Sequence, residues 1–179
     1  MGFNKALLEI NGRPLIQTLA ELARKITDEV FISANDAGVY AFLGLTIVPD
    51  VHRGQGPMAG LHAAFARTSR SLVLLMACDL PNLHEEVLRS LIDEARDFDA
   101  VVPRTADGHC HPLCGVYRRT CLPVLESNLL KGMNKATDLL HHASIRVRYL
   151  DGQAGNFSDR DLKNLNTPED LDEYRSAES

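Results

Sequence analysis

The feature that most constrains the fold is an unbroken apolar run at residues 72–77, Leu-Val-Leu-Leu-Met-Ala. The run does not alternate between apolar and polar residues, so it predicts a strand with both faces covered, as in a parallel sheet between layers of helices. It is far shorter than the ~20 residues needed to cross a bilayer. We therefore predict a buried strand of a globular protein and no membrane span.

Strand-like and helix-like segments alternate along the rest of the chain. Further strands are predicted at residues 30–32, 46–48, 100–102 and 113–117, with an edge strand at 145–150. Helices are predicted at residues 15–26, 36–43, 58–66, 85–96 and 137–142, and from Thr167 onward, where Thr167 and Asp170 form a capping box. This alternation is typical of a three-layer α/β fold with a mainly parallel sheet, here a single domain over residues 1–179. Such folds bind ligands beyond the carboxyl ends of their strands.

Composition narrows the class of partner and the compartment. With 45% hydrophobic and 24% charged residues, the chain can build a core, and its net charge of -5 argues against binding nucleic acid. Four cysteines are too few for a disulfide scaffold in 179 residues, and the amino terminus does not have the pattern of a secretory signal. We therefore expect a cytoplasmic protein with reduced thiols.

Polar residues follow three of the predicted strands. Asp79 comes directly after the apolar run, where a carboxylate could hold a hard cation through oxygen, or could instead shape the turn before Pro81. Asp50 and Asn35 present the same two alternatives, ligand contact or turn. Position alone does not decide between them.

A glycine-rich segment at residues 54–60, Gly-Gln-Gly-Pro-Met-Ala-Gly, leads into a predicted helix. Its backbone amides could approach an anion or a polar base edge, although a flexible connector is the commoner explanation. Four arginines, Arg118, Arg119, Arg146 and Arg148, could be solvated or could bind a phosphorylated substrate.

A second possible ligand set is the zinc-like cluster His109, Cys110, His111 and Cys114. The donor types suit zinc. However, the sequence has no second CxxC or HxxxH pair to complete a tetrahedral zinc site. A zinc protein is therefore the less favoured hypothesis.

Eight short motifs follow one another in an order that resembles one enzyme family. They are Gly-x-x-Lys-Ala-Leu-Leu at 2–8, Asn-Gly-Arg-Pro-Leu-Ile at 11–16, Ile-Ser-Ala-Asn at 32–35, Val-Pro-Asp at 48–50, Gly-Pro-Met-Ala-Gly-Leu at 56–61, Cys-Asp-Leu-Pro at 78–81, His-Pro-Leu at 111–113 and Asn-x-Asn-Thr-Pro-Glu-Asp-Leu at 164–171. Over essentially its whole length, the chain resembles the molybdenum cofactor guanylyltransferases. The Gly-Pro-x-Ala-Gly-Leu and Asn-Thr-Pro-Glu motifs favour this branch over the related cytidylyltransferases.

The resemblance implies a reaction in which a phosphate of molybdopterin attacks the α-phosphate of GTP and pyrophosphate leaves. Such a transfer requires the protein to position the two substrates and to supply positive charge, and it needs little covalent chemistry from protein side chains. Lys5 and Asp79 are then the implied catalytic residues, with Asp79 as the ligand of Mg²⁺. The residues implied to contact the nucleotide are Lys5, Asn35, Asp50, Gly56, Pro57, Gly60, Asp79, Asn164 and Asn166.

On the same resemblance, Arg104 and His111 are implied for the pterin side of the site. The implied partners are GTP, molybdopterin and the maturation proteins of molybdoenzymes, with neither nucleic acid nor a membrane.

The family pattern starts with a strand and a glycine-rich loop, Leu-Ala-Gly-Gly-x-x-x-x-Arg-Met-Gly, whereas this sequence begins at the Met-Gly of that loop. The resemblance therefore implies a Rossmann-like nucleotidyltransferase fold whose sheet is missing its first strand. Two alternatives stay open: a nucleotidyltransferase that uses CTP or a sugar phosphate, and a non-catalytic relative that binds cofactor intermediates without the loop.

Overall fold

The computed structural model describes residues 4–177. Its strands are β1 (Glu9–Ile10), β2 (Arg13–Pro14), β3 (Phe31–Ser33), β4 (Thr46–Val48), β5 (Leu72–Met76), β6 (Ala100–Arg104), β7 (Cys114–Arg118) and β8 (Val147–Asp151). Its α-helices are α1 (Leu15–Ile26), α2 (Gly56–Arg67), α3 (Glu85–Glu94), α4 (Leu122–Leu130), α5 (Ala136–Leu140), α6 (Gly152–Gly155) and α7 (Pro168–Ala177). The predicted segments are found with shifts of a few residues, except that the predicted helix at 36–43 is a 3-10 helix at Gly38–Leu43. None of the helices described is long and apolar enough to cross a membrane.

The strands form three separate hydrogen-bonded groups. The largest is a four-stranded sheet in the order β5-β7-β6-β8, a parallel pair joins β3 to β4, and β1 and β2 form a hairpin. The hairpin turns at Asn11 and Gly12, both with positive φ, which is the backbone that a tight two-residue turn requires.

The α/β fold is as predicted, and the sheet is mixed in direction. β6 and β8 are parallel, but β7 is antiparallel to both of its neighbours, β5 and β6. The connection from β6 to β7 at residues 105–113 contains no helix, so it is too short for the crossover that a parallel neighbour needs. The predicted edge strand at 145–150 is β8, at one end of the sheet.

Two apolar clusters cover the two faces of the four-stranded sheet. On one face, α1 and α3 supply Leu19, Leu22, Leu88 and Leu91. On the other, α2, α4 and α5 supply Phe65, Leu125 and Leu139. These clusters make the three layers that the alternating sequence pattern predicted.

Arg118 and Arg119 belong to the framework. Arg118 donates hydrogen bonds to the carbonyl oxygens of Ala95, Arg96 and Phe98, just after α3. Arg119 donates to the carbonyl oxygens of Phe65, Thr68 and Arg70 at the end of α2. Both guanidinium groups therefore stabilise helix carboxyl ends, where positive charge is favourable.

β5 is less buried than predicted. Every residue of β5 is only partly buried, whereas Ala100, Val101, Val102 and Val116 on β6 and β7 are buried. The reason is the position of β5 at the end of its sheet, with β7 along one edge only. Among the residues described, no strand links β5 to the β3–β4 pair.

Candidate active site

The candidate site is centred on three side chains from distant parts of the chain. Lys5 lies in a 3-10 helix that Asn4 caps by accepting a hydrogen bond from the amide of Ala6. The Lys5 Nζ donates to Asn166 Oδ1 at 2.6 Å and lies 3.9 Å from Asp79 Oδ2. The carboxylate after β5 therefore faces the ammonium group that the sequence assigned to the same site.

Asp79 and Asn164 leave two oxygen atoms available. Asn164 Nδ2 donates to Asp79 Oδ2 at 3.3 Å, and the amide of Leu165 donates to the Asp79 carbonyl at 2.8 Å. Asp79 Oδ1 and Asn164 Oδ1 are both buried and have no hydrogen-bond partner among the side chains and backbone that the structure describes. A buried polar atom without a partner is costly, so these two oxygens point to a ligand.

A capping box fixes the backbone that carries Asn166. Asp170 accepts hydrogen bonds from the amides of Asn166 and Thr167, both at 2.8 Å, and Thr167 Oγ1 accepts from the Asp170 amide at 3.1 Å. The predicted box is confirmed. The hydrogen bonds from the two amides hold the pKa of Asp170 below its usual value, so the box is intact at neutral pH.

Asp50 lies in a second polar cluster, at the ends of β3 and β4. Asn35 Nδ2 donates to Asp50 Oδ2 at 3.1 Å, and the Asp50 amide donates back to Asn35 Oδ1 at 3.2 Å. Ser33 Oγ donates to Asp50 Oδ1 at 3.2 Å. Ser33 was not among the predicted site residues, although its spacing of two from Asn35 places both on the same side of an extended chain.

The glycine-rich segment brings α2 against this cluster. A Cβ atom on Gly60 would lie 2.5 Å from Ser33 Oγ and 3.8 Å from Asp50 Oδ1, so only glycine fits there without movement. Gly56 begins α2 with a φ of +67°, and Pro57 follows in its first turn. The segment is therefore a structured helix start and not a flexible connector.

Two hollows are lined by residues that follow the strands. One, of about 640 Å³, is lined by Asp50, Gly56, Pro57, Gly60 and Asp79 among others. The second, of about 660 Å³, is polar, and its lining includes Asn164, Asn166, His109, His111, Arg160 and Lys163. The Lys5–Asp79–Asn166 cluster lies between them, because Asp79 lines the first hollow and Asn166 the second.

The two residues assigned to the pterin side have different surroundings. His111 lines the second hollow, where burial and neighbouring His109 lower its pKa, so its imidazole is neutral at neutral pH. Arg104 is not in that lining; its Nε and Nη2 bind Asp151 Oδ1, both at 3.0 Å. Arg160 and Lys163 also line the hollow, although no motif or spacing singled them out.

The donor set fits magnesium better than zinc. The unpartnered oxygens of Asp79 and Asn164 are the hard ligands that Mg²⁺ prefers. Of the proposed zinc ligands, Cys114 is buried in β7, where burial raises its pKa to about 12. No cluster of three or more His, Cys, Asp or Glu side chains suited to a metal occurs among residues 4–177.

Comparison with known proteins decides the family. The profile of the MobA-like NTP transferase domain matches residues 1–147. The chain belongs to this family. Its curated relatives include the probable molybdenum cofactor guanylyltransferase of Carboxydothermus hydrogenoformans, 35% identical over 96% of this chain and 87% of that protein. Another is the molybdenum cofactor guanylyltransferase of Desulfosudis oleivorans, 30% identical over 98% of this chain and 88% of that protein.

A solved structure of a MobA-like protein has the same fold. It is molybdopterin-guanine dinucleotide biosynthesis protein A from Archaeoglobus fulgidus, which superposes with a TM-score of 0.79 at 25% identity and covers 96% of this chain and 89% of that one. The resemblance inferred from the eight motifs is thus confirmed, and with it the nucleotidyltransferase class of the chain.

Proposed function

We propose that this nucleotidyltransferase transfers GMP from GTP to the terminal phosphate of molybdopterin, forming the guanine dinucleotide cofactor and releasing pyrophosphate. The observation that carries the proposal is the convergence of Lys5, Asp79 and Asn166 at the carboxyl end of β5. Asp79 Oδ1 is buried there and has no partner in the described part of the chain. One cation beside free hard oxygens is the arrangement that a triphosphate and its metal require.

In this proposal Lys5 binds the nucleotide phosphates and offsets the negative charge that accumulates as pyrophosphate leaves. Asp79 and Asn164 would hold Mg²⁺ through their unpartnered oxygens, and the metal would supply positive charge to offset the negative charge of the phosphates. Asn166 positions Lys5, since its Oδ1 accepts from Nζ at 2.6 Å. No general base is required, because the attacking phosphate is already an anion at neutral pH.

Asp50 and its neighbours suit the base and ribose of the nucleotide. The Asp50 carboxylate is held from two sides by Ser33 and Asn35, and each oxygen keeps a further lone pair to accept from a base N–H or a ribose hydroxyl. Gly56, Pro57 and Gly60 line the same hollow, and the exposed Gly56 at the start of α2 lets a ligand approach the backbone closely.

The second hollow suits the phosphorylated acceptor. Arg160 supplies positive charge there, and neutral His111 can donate or accept a hydrogen bond. Lys163 also lines the hollow, with its Nζ bound to Glu173 Oε2 at 2.7 Å, beside the carboxylates of Asp107, Asp159 and Asp170. Because Asn164 and Asn166 also line this hollow, an acceptor bound here reaches the same edge as Asp79. A reducing cytoplasm is the compartment we propose, since all four cysteines are free thiols.

A pyrophosphate-release assay tests the proposal. The chain is incubated with Mg²⁺, molybdopterin and either GTP or CTP. We expect release with GTP only when molybdopterin is present, and at least about tenfold less with CTP. A preference for CTP would support the cytidylyl alternative. GTP binding without any turnover would support the non-catalytic alternative.

A further inference from the structure

The second hollow, of about 660 Å³, contains more carboxylates than a site for phosphate alone requires. Its lining includes those of Asp107, Asp159, Asp170 and Glu173. Its volume lies within the range of about 300–1,000 Å³ that is usual for small-molecule sites. A ligand that fills this hollow therefore gains from hydrogen-bond donors on one part of its surface, in addition to a phosphate on another part.

Three of these carboxylates are already occupied by the protein itself. Asp107 Oδ1 accepts from a threonine hydroxyl at 2.6 Å and from a backbone amide at 3.1 Å, both within its own loop. Asp170 accepts from two backbone amides in the capping box. Glu173 binds the ammonium group of Lys163 at 2.7 Å. These three groups therefore have less capacity to bind a ligand.

Asp159 is the carboxylate with the most remaining capacity. In the described part of the chain, its one hydrogen-bond donor is the amide of Ala106, which Oδ1 and Oδ2 share at 3.0 and 3.3 Å. A carboxylate has about four sites that can accept a hydrogen bond. Both oxygens of Asp159 can therefore accept from a ligand, while the Ala106 amide holds the group in place.

The His109–His111 ring pair lies near both Asp159 and Asp79. The two rings line the hollow and pack edge to face, with their centroids 4.7 Å apart. Burial and neighbouring His109 lower the pKa of His111, and the carboxylates of Asp107, Asp159 and Asp79 act in the opposite direction. His111 is therefore within electrostatic reach of Asp159 and of Asp79. A planar heterocycle can stack on rings of this kind.

Another part of the same hollow suits a phosphate. Asn164 lines the hollow, its Nδ2 donates to Asp79 at 3.3 Å, and its Oδ1 is buried without a partner among the residues described. Asn166, also in the lining, accepts from the Lys5 ammonium group at 2.6 Å. One elongated ligand can therefore place a phosphate near Lys5 and Asp79 and a planar ring near Asp159.

Resting on the proposed function, we propose that Asp159 is a specificity-determining residue that recognises the pterin ring of the acceptor. The 2-amino-4-oxopyrimidine part of a pterin presents two neighbouring donors, a ring N–H and an exocyclic amino group, and the two oxygens of one carboxylate can accept from both. Guanine presents the same pair of donors. Each hollow thus offers an anchored carboxylate, Asp50 or Asp159, to a heterocycle of the same kind.

Fluorescence titration of the full chain with two bicyclic probes tests the proposal without turnover. Pterin carries the pair of donors, whereas lumazine has a second oxo group in place of the amino group. A non-hydrolysable GTP analogue and Mg²⁺ are present at saturation, so that pterin does not occupy the guanine position. We expect pterin to bind about tenfold or more tightly than lumazine, because lumazine turns an oxygen acceptor toward the carboxylate.

Two substitutions separate recognition by Asp159 from its structural role and from its charge. Asp159→Asn keeps one oxygen to accept from the Ala106 amide but replaces the other acceptor by a donor, so it should lose most of the preference for pterin. Asp107→Asn removes the same charge from the same hollow and should retain the preference. Thermal unfolding of Asp159→Asn should match that of the parent, because the loop keeps its anchor.

Three results would overturn the proposal. One is a parent chain that does not bind pterin, or that binds pterin and lumazine equally well. Another is a preference for pterin that persists in Asp159→Asn. The third is an equal loss of preference in Asp107→Asn, which would assign the effect to overall charge.

Failure of the proposed function is a separate outcome. A chain that neither binds GTP nor releases pyrophosphate contradicts that function, and the two probes are then compared without the GTP analogue. If GTP is bound and turned over but Asp159→Asn leaves the KM for molybdopterin unchanged, the proposed function stands and the role of Asp159 is rejected. We expect this KM to rise about tenfold or more and the KM for GTP to stay at the parent value.

Discussion

At the scale of single residues, the Lys5 ammonium group contacts side chains that are far from it in sequence. It bonds to Asn166 and lies beside Asp79, and all three side chains are partly shielded from solvent or held in place by neighbours. An ammonium group fixed before the nucleotide arrives needs little reorganisation during transfer. In the proposed function, the contribution of Lys5 to GTP binding therefore depends on Asn166 as well as on its own charge.

Substitution of both residues tests this dependence. We expect Lys5→Met to weaken GTP binding by about 10- to 100-fold, the worth of one charge-assisted hydrogen bond. Asn166→Ala should weaken GTP binding in the parent chain. Its effect should be smaller when Lys5 is already Met, because Asn166 then has no ammonium group to position. Lys25→Met on the exposed side of α1 is the matched control. Fully additive losses in GTP titrations would contradict a positioning role for Asn166.

Asp99 gives the stability of the fold a pH dependence. Burial raises the pKa of this carboxyl, but hydrogen bonds from Thr120 Oγ1 at 2.6 Å and the Arg146 amide at 2.9 Å outweigh burial and hold the pKa below its usual value. The pKa of Asp99 is therefore lower in the folded state than in the unfolded chain, where it is about 4. This difference stabilises the fold at pH values above about 4, and the stabilisation is lost as the pH falls through the folded-state pKa.

Denaturant unfolding at several pH values checks this expectation. The free energy of unfolding of the parent chain should fall as the pH drops below about 4, and the difference between parent and Asp99→Asn should shrink over the same range. The exposed Asp28→Asn variant should keep the parent profile. A constant difference across that range would show that Asp99 does not carry this pH dependence.

At the scale of elements, the approach of α2 to β3 sets the position of Asp50. We expect Gly60→Ala to cost about 1–3 kcal/mol and to weaken GTP binding, because its Cβ would meet Ser33 Oγ at 2.5 Å. Removing that oxygen with Ser33→Ala should recover part of the stability, but not all, because Ser33 Cβ would still lie 3.1 Å away.

A second glycine provides the control for this experiment. A Cβ on Gly38 would meet no atom nearer than 3.4 Å, so Gly38→Ala should be tolerated. Thermal unfolding of Gly60→Ala, Ser33→Ala, their double variant and Gly38→Ala measures the effect. If Ser33→Ala gives no recovery in the Gly60→Ala background, the contact with Ser33 is not what limits the approach of α2.

Local sequence signals predicted most elements, because capping and apolar runs act over a few residues. The Thr167–Asp170 box and the strand at 72–77 are examples, and both are present. The direction of β7 was not predictable in the same way. Strand pairing depends on the length and path of the connection at 105–113, and an apolar strand pattern carries no information about its neighbour.

At the scale of the whole molecule, the site could be located because polar residues after strands gather at one edge of the sheet. Asp50, Asp79 and the Asn164–Asn166 segment lie there as expected. The sequence did not predict Ser33, Arg160 and Lys163 as lining residues. A serine inside a strand, or a charged residue before a helix, has the same sequence pattern whether its side chain faces a hollow or solvent. The incomplete burial of β5 was also not predictable, because it results from the position of β5 at the end of its sheet, and an apolar strand sequence does not reveal that position.

The separation of the strands also divides the site. Asp50 follows β4 of the β3–β4 pair, and Asp79 follows β5 of the four-stranded sheet, so the two sides of the 640 Å³ hollow are joined mainly through helices. Helix α2 packs against β3, β4 and β5 and spans both groups of strands. The geometry of the site therefore depends on packing between layers as much as on the strands.

Calorimetric titration of GTP, with Mg²⁺ and then with a chelator, tests most directly that Asp79 anchors the metal of a bound triphosphate. We expect Mg²⁺ to tighten GTP binding to the parent chain by about tenfold or more, and this gain to disappear in Asp79→Asn. The exposed Asp28→Asn variant should retain the gain. If folded Asp79→Asn kept the same Mg²⁺-dependent gain as the parent, Asp79 would not be the metal ligand.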